Sequence, residues 1–266
     1  MSPLEAAAIL LAGVGAGTIN TVVGSGTLIT FPTLLALGVP PVTANMSNSL
    51  GLVPGGVAGA IGYRRELTGQ RGRVLRLLVF STAGGALGAV LLLVLPPGAF
   101  EAIVPVLILL GIVLVIVQPR LSRMVAERAE RRAAAGVVPV ERAWWVPPAV
   151  FATGLYGGYF GAAQGVLLMG VLGIGVAESL QRLNGVKNVL VAVVNGVAGL
   201  IFVVVAELGL LGTEAEVDWL LVLLIGTGAI AGGFLGAAVG RRLPPLVLRS
   251  VIVVVGLVAV AVLFVT

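Results

Sequence analysis

The chain has 266 residues, 59% of them hydrophobic and 10% charged, with 16 Lys and Arg against 11 Asp and Glu. Soluble domains carry about 25% charged residues. With a mean hydropathy of +1.16, a soluble enzyme and a disordered chain are excluded, and so is a porin-like barrel, whose segments are short and alternating. Cys and His are absent, which removes disulfides, thiolate nucleophiles, the commonest metal ligand and the commonest general base.

In chain order, apolar stretches long enough or nearly long enough to span a bilayer cover 4–23, 42–63, 74–95, 100–117, 144–160, 183–206, 219–239 and 246–264. Two further stretches, 27–37 and 166–176, are short. A helix of that length reaches about 16 Å, roughly half the hydrocarbon core. The first stretch carries Glu5 and no preceding basic run, so it is expected to be a retained helix and not a cleaved leader. The fold class expected is all-α, a polytopic transmembrane protein.

Charge placement decides how the short stretches count. If neither crosses, the basic loops 64–76 and 241–249 fall on opposite sides. If both complete a crossing, ten segments result, and all 16 Lys and Arg share one side: 64–76, 120–142, Arg182 with Lys187, and 241–249. Lys and Arg concentrate in cytoplasmic loops, so ten segments are expected, with the N-terminus outside and the linker inside. The basic pI near 10.7 is thereby a matter of topology, and no nucleic-acid partner is expected.

The sequence repeats itself. Gly56-Val57-Ala58-Gly59-Ala60-Ile61 returns 140 residues later as Gly196-Val197-Ala198-Gly199-Leu200-Ile201. Ala83-Gly84-Gly85-Ala86-Leu87-Gly88-Ala89 returns 148 residues later as Ala231-Gly232-Gly233-Phe234-Leu235-Gly236-Ala237, and Leu95-Pro96-Pro97 as Leu243-Pro244-Pro245 at the same offset. The domains expected are a first transmembrane repeat, 1–118, a cytoplasmic Arg-rich linker, 119–142, and a second repeat, 143–266. Five segments per half is an odd number, which inverts the halves. Inverted repeats recur in secondary transporters, where matched short or Gly-interrupted segments mark the substrate site. Stripes such as Gly13/Gly17, Gly51/Gly55/Gly59, Gly84/Gly88 and Gly232/Gly236/Gly240 have the spacing of helix-packing glycines.

The breaks read Asn20-Thr21-Val22-Val23-Gly24-Ser25-Gly26-Thr27 and Gly161-Ala162-Ala163-Gln164-Gly165. Each leads into a short helix, whose N-terminus carries amide donors and a partial positive charge suited to an anion. Ser25, Thr27 and Gln164 add side-chain donors, or cap the helices. Asn45, Asn48 and Ser49 share one helical face; Asn184, Lys187 and Asn188 repeat the spacing 139 residues on, and Asn195 continues that face. Polar groups at membrane depth face a partner or a wet cavity. Lys187, the only lysine, is either an ammonium donor to an anion or a helix-end lysine snorkelling to the surface. No carboxylate lies mid-segment, which favours an anionic substrate over a cationic one.

Gly24-Ser25-Gly26-Thr27-Leu28-Ile29-Thr30-Phe31-Pro32, Leu37-Gly38-Val39-Pro40-Pro41, Ala44 and Ser47 in one half, with Tyr156-Gly157-Gly158-Tyr159-Phe160-Gly161, Gln164-Gly165 and Asn184 to Asn188 in the other, resemble the sulfite exporter TauE/SafE family, also called the toluene sulfonate uptake permease family. The resemblance covers nearly the whole chain. It implies transport of small anions, often sulfur oxyanions or organosulfonates.

The function expected is therefore a secondary carrier or facilitator of a small anion such as sulfite, in the inner (cytoplasmic) cell membrane. The substrate-binding residues expected are Asn20, Gly24, Ser25, Gly26, Thr27, Asn45, Asn48, Ser49, Gln164, Gly165, Asn184, Lys187, Asn188 and Asn195. No catalytic residues, metal or cofactor are expected. The partners are the anion and the bilayer, with a homodimer left open. Two rivals are a membrane enzyme, disfavoured by the missing nucleophile, base and metal cluster, and a permease subunit acting with partner proteins. No phosphate-binding loop of the G-x-x-x-x-G-K-[ST] type is present.

Overall fold

The computed structural model describes residues 1–134, 143–209, 216–239, 250, 253–255 and 257. Among the described residues the chain is helical, without strands. The elements are α1 (Pro3–Val22), α2 (Thr27–Ala36), α3 (Pro41–Gly62), α4 (Arg71–Val94), α5 (Pro97–Ala134), α6 (Val146–Tyr159), α7 (Gln164–Gly175), α8 (Leu180–Glu207) and α9 (Trp219–Val239).

Local chemistry sets several of these limits. Ser2 and Glu5 form a capping box at the start of α1: the Ser2 amide donates to Glu5 Oε2 at 2.8 Å and the Glu5 amide to Ser2 Oγ at 3.3 Å. Prolines in the first turns of α1, α3 and α6 occupy positions where a missing amide costs nothing. Asp218 Oδ1 accepts from the amides of Leu220 and Leu221 at the start of α9.

Five helices are long and apolar enough to cross a membrane: α1, α4, the Pro97–Glu127 portion of α5, α8, and the Trp219–Ala238 portion of α9. With the short apolar helices α2 and α7, this is a multi-pass membrane protein. The expected crossing at 42–63 forms as α3 but stays outside the apolar five, because Asn45, Ser47, Asn48 and Ser49 and several glycines dilute it. Those residues are buried, so α3 lies inside the bundle. The expected stretch 144–160 shortens to Val146–Tyr159. The expected 119–142 linker begins as a continuation of α5, which runs to Ala134 with Pro105 and Pro119 within it; 135–142 lie outside the described residues. So do the basic loop 241–249 and most of the last expected crossing, 246–264.

Helices pair crosswise between the two halves. The most extensive contacts join α1 to α9, α4 to α6, α3 to α9, and α3 and α4 to α8. Glycine permits the closest of these approaches. A β-carbon on Gly13 or Gly17 of α1 would run into the carbonyls of Ile225 or Ala229 on α9, and one on Gly84 or Gly88 of α4 into those of Phe151 or Leu155 on α6. The facing glycines are packed as tightly: Gly228 and Gly232 against Leu10 and Val14, Gly154 and Gly158 against Ser81 and Gly85. With little hydrophobic force between helices in lipid, such backbone approach is what holds them together.

Candidate functional site

The two breaks meet. The Gly165 amide donates to the Gly24 carbonyl at 3.0 Å, and neither glycine leaves room for a β-carbon because the other's backbone fills the space. Gly24 turns the chain with φ +89°, and Ala163, 139 residues on, is the one non-glycine residue with positive φ, +61°, among the described residues. The left-handed turns therefore fall at Gly24, Gly161 and Ala163. Gly26 and Gly165 are helical: Gly26 caps α2 and presses on Ala16 and Asn20, and Gly165 lies in the first turn of α7 against the Lys187 side chain.

Around this crossing, each half caps the other. From α8, Lys187 Nζ donates to the carbonyls of Asn20 at 3.0 Å and Thr21 at 3.2 Å, and Asn184 Nδ2 and Asn188 Nδ2 reach the Thr21 carbonyl at 3.1 and 3.4 Å. These carbonyls belong to the last turn of α1, which has no intrahelical donors for them. From α3, Asn45 Nδ2 donates to the carbonyl of Tyr159, the last residue of α6, at 2.9 Å. Asn48, at the position equivalent to Lys187, turns instead to its own half. It accepts from the Thr30 hydroxyl and donates to Thr27 Oγ1 at 3.3 Å.

Lys187 is fully buried, at 0% exposure. It does not snorkel. It is the only charged side chain among the buried polar residues described. The only ion pairs among the described residues, Arg73–Glu178 and Arg182–Glu178, both at 3.0 Å, do not involve it. An ammonium has three hydrogens, and the two carbonyls take two.

Other buried donors lie on the two breaks, the Gln164 amide packing against Gly157 of α6. Ser25 and Gln164 occupy equivalent positions, 139 apart, beside Gly24 and Gly165. Both are buried, and Ser25 Oγ and both amide atoms of Gln164 have no partner among the described residues. The first amides of α7 are not free: Gln164, Gly165, Val166 and Leu167 all donate to carbonyls. In α2 the bonding begins only at Leu28, which leaves the buried amides of Gly26 and Thr27 without an acceptor among the described residues. Buried polar groups are rarely orphaned. Phe31 of α2, Phe100 of α5, and Tyr159 and Phe160 at the end of α6 pack edge to face with one another.

Of the residues expected from sequence, Asn20, Gly24, Ser25, Gly26, Thr27, Gln164, Gly165, Asn184, Lys187 and Asn188 come together at or beside the crossing. Asn45 and Asn48 stand on α3 next to it, with Ser49 buried on the same helix. Asn195 is buried, but it lies seven residues beyond Asn188, roughly 10 Å further along α8. Three residues were missed: Thr21, whose carbonyl receives three donors; Thr30; and the Tyr159 carbonyl. Their partners are more than a hundred residues away or lie on another helix, and only the pair Asn20-Thr21 before a glycine break hinted at one of them.

Comparison with known proteins gives the same family from another direction. The family described as Sulfite exporter TauE/SafE matches residues 9–263. The chain is 27% identical over 234 residues to the probable membrane transporter protein ORF9 of Sinorhizobium sp, covering 85% of this chain and 78% of that protein. It is 24% identical over 254 residues to the probable membrane transporter protein YfcA of Escherichia coli K12, covering 91% and 82%. A probable membrane transporter protein of Haemophilus influenzae is 30% identical over 103 residues, 39% of this chain and 40% of that protein. No solved structure matches. The chain belongs to the TauE/SafE family of membrane transporters.

Proposed function

We propose that the chain is a secondary carrier or facilitator of a small anion, a sulfur oxyanion or organosulfonate such as sulfite, seated where the two breaks cross. The observation that carries this reading is Lys187: an ammonium buried at 0% exposure, held by two carbonyls and by no carboxylate among the described residues. A buried charge of that kind is costly unless something negative joins it. The last turn of α1 supplies part of that, and an anion meeting the third hydrogen supplies the rest. Ser25, Gln164 and the amides of Gly26 and Thr27 then act as neutral donors to its oxygens.

The architecture proposed is a pair of inverted repeats. Its support is the crosswise pairing, in which α1 with α9 mirrors α6 with α4, and the mutual capping of α1 by α8 and of α6 by α3. The ends of the helices support the expected topology. Arg73 on α4 pairs with Glu178 at 3.0 Å, and Arg182 Nη2 donates to the Thr68 carbonyl at 3.0 Å. Residues 64–76 and 178–182 thus share a face, although α4 to α7 lie between them. With α4 and α5 each crossing once, α6 and α7 together must return the chain to the side it left, which argues against α6 crossing alone. By the positive-inside rule that face is cytoplasmic, in the inner membrane.

The test is reconstitution of the purified chain in liposomes with radiolabelled sulfite and small sulfonates. Saturable flux without any partner protein is the expected result. No flux and no anion binding would overturn the reading, and anion binding without flux would favour a permease subunit that works through partners.

A further inference from the structure

We infer that the crossing site is matched to a singly charged anion and discriminates against a doubly charged one. The inference rests on reading this site as the seat of the transported anion, and it follows from adding the charges that surround it.

Four helix ends meet at the crossing. α1 and α6 arrive with their C-termini, at Val22 and Tyr159; α2 and α7 leave with their N-termini, at Thr27 and Gln164. Each end carries roughly half an elementary charge, negative at a C-terminus and positive at an N-terminus. Two of each sign cancel. The side chains then decide the total. Of the buried polar residues described, sixteen are uncharged and one, Lys187, is a cation. At the position where a symmetric site would carry a second lysine stands Asn48, neutral and engaged with Thr27 and Thr30. With Lys187 in its ammonium form, the form that a bound anion favours, the sum is a single positive charge.

The donors fit the same count. Ser25 Oγ, Gln164 Nε2, the amides of Gly26 and Thr27 and the third hydrogen of Lys187 are enough for the three oxygens of one sulfonate or sulfate-ester head. A second negative charge would meet only neutral groups, out of contact with water, which is the expensive case for a buried ion. The two halves of the molecule thus share a donor arrangement and differ by one charge, and that one charge sets the valence of the ligand.

Sulfate and methyl sulfate provide the probe, since they share a head group and differ by one methyl and one charge. Binding of each to the purified full-length chain in detergent is measured by thermal shift or calorimetry at neutral pH and matched ionic strength. Methyl sulfate is expected to bind about tenfold or more tightly, the value of one charge-assisted contact. In Asn48→Lys, with folding confirmed by circular dichroism and gel filtration, sulfate is expected to draw level or lead. Equal or tighter binding of sulfate to the unmodified chain would overturn the charge match while leaving the site itself intact. A folded Asn48→Lys protein that keeps the original ratio would overturn it too. Binding of neither anion would overturn both the charge match and the site. If Asn48→Lys does not fold, the ratio in the unmodified chain alone decides.

Discussion

The two breaks are built to one plan and finished differently. Each consists of a helix ending in a left-handed turn, a buried polar side chain without a partner, a glycine packed too tightly for a β-carbon, and a short helix. In the first half the residues are Gly24, Ser25 and Gly26; at the same offset in the second they are Ala163, Gln164 and Gly165. The helix that follows carries Asn45, Asn48 and Ser49 in one half and Asn184, Lys187 and Asn188 in the other. The shared features are those that geometry demands: room for two backbones to touch, and donors for the carbonyls at two helix ends. The features that differ, Ser25 against Gln164 and Asn48 against Lys187, are the ones a ligand would feel.

The sharpest way to break this comparison is at the turn. Gly24 has φ +89° and the Gly165 backbone against it, whereas Ala163 already holds φ +61° with a methyl group. Gly24→Ala should cost several kcal/mol, about 1–3 from overpacking with backbone strain added, and should be read as a large loss of melting temperature and of flux. Ala163→Gly should do the opposite: relief of left-handed strain of about 1 kcal/mol, with a higher or unchanged melting temperature. Equal sensitivity at the two sites would show that the turns are not equivalent in the way described.

The next effect in size concerns the charge. Lys187→Met should weaken anion binding about 10- to 150-fold, the loss of a charge-assisted contact of roughly 1.5–3 kcal/mol. Lys187→Arg should also impair binding, since a planar guanidinium does not fit a site shaped for an ammonium between two carbonyls and Gly165. Full activity in the Arg variant would mean that Lys187 only caps α1.

A smaller difference separates the two capping asparagines. Tyr159 loses its one side-chain donor among the described residues in Asn45→Ala, whereas Thr21 keeps Lys187 and Asn188 in Asn184→Ala. Chemical or thermal unfolding should register about 1–3 kcal/mol for the first and less than about 1 for the second. The smallest effect is expected for Glu178→Gln, which removes both ion pairs at one face, the Arg73 pair that joins the halves and the Arg182 pair within the second half. Those groups are partly exposed, so the loss should be within about 1 kcal/mol, and salt should diminish it.

How much of this was legible in the sequence varies with the range of the interaction. α2 was readable almost to the residue, Thr27–Ala36 against an expected 27–37, because Gly-Ser-Gly stops one helix and an apolar run starts the next. α7 begins two residues before the expected 166, because Gln164 and Gly165 look like part of the break yet make the first turn, their amides satisfied by Gly161 and Gly24. Pro119 and the arginines after it suggested a linker, but α5 carries on through Pro119 to Ala134. Lys187 was the hardest case. Its position four or five residues inside a helix allowed both a surface and a buried role, and what decides between them is the end of α1, 166 and 167 residues earlier in the chain. No local pattern carries that information.

The account's central claim is that both breaks serve one anion beside Lys187. The direct measurement is an experimental structure of the chain with 2-bromoethanesulfonate, with the ligand located by bromine anomalous scattering. The account predicts a single site in which the sulfonate oxygens meet Lys187 Nζ, Ser25 Oγ, Gln164 Nε2 and the amides of Gly26 and Thr27. Bromine found only elsewhere, with Lys187 bonded to the Asn20 and Thr21 carbonyls and to no ligand, would contradict it.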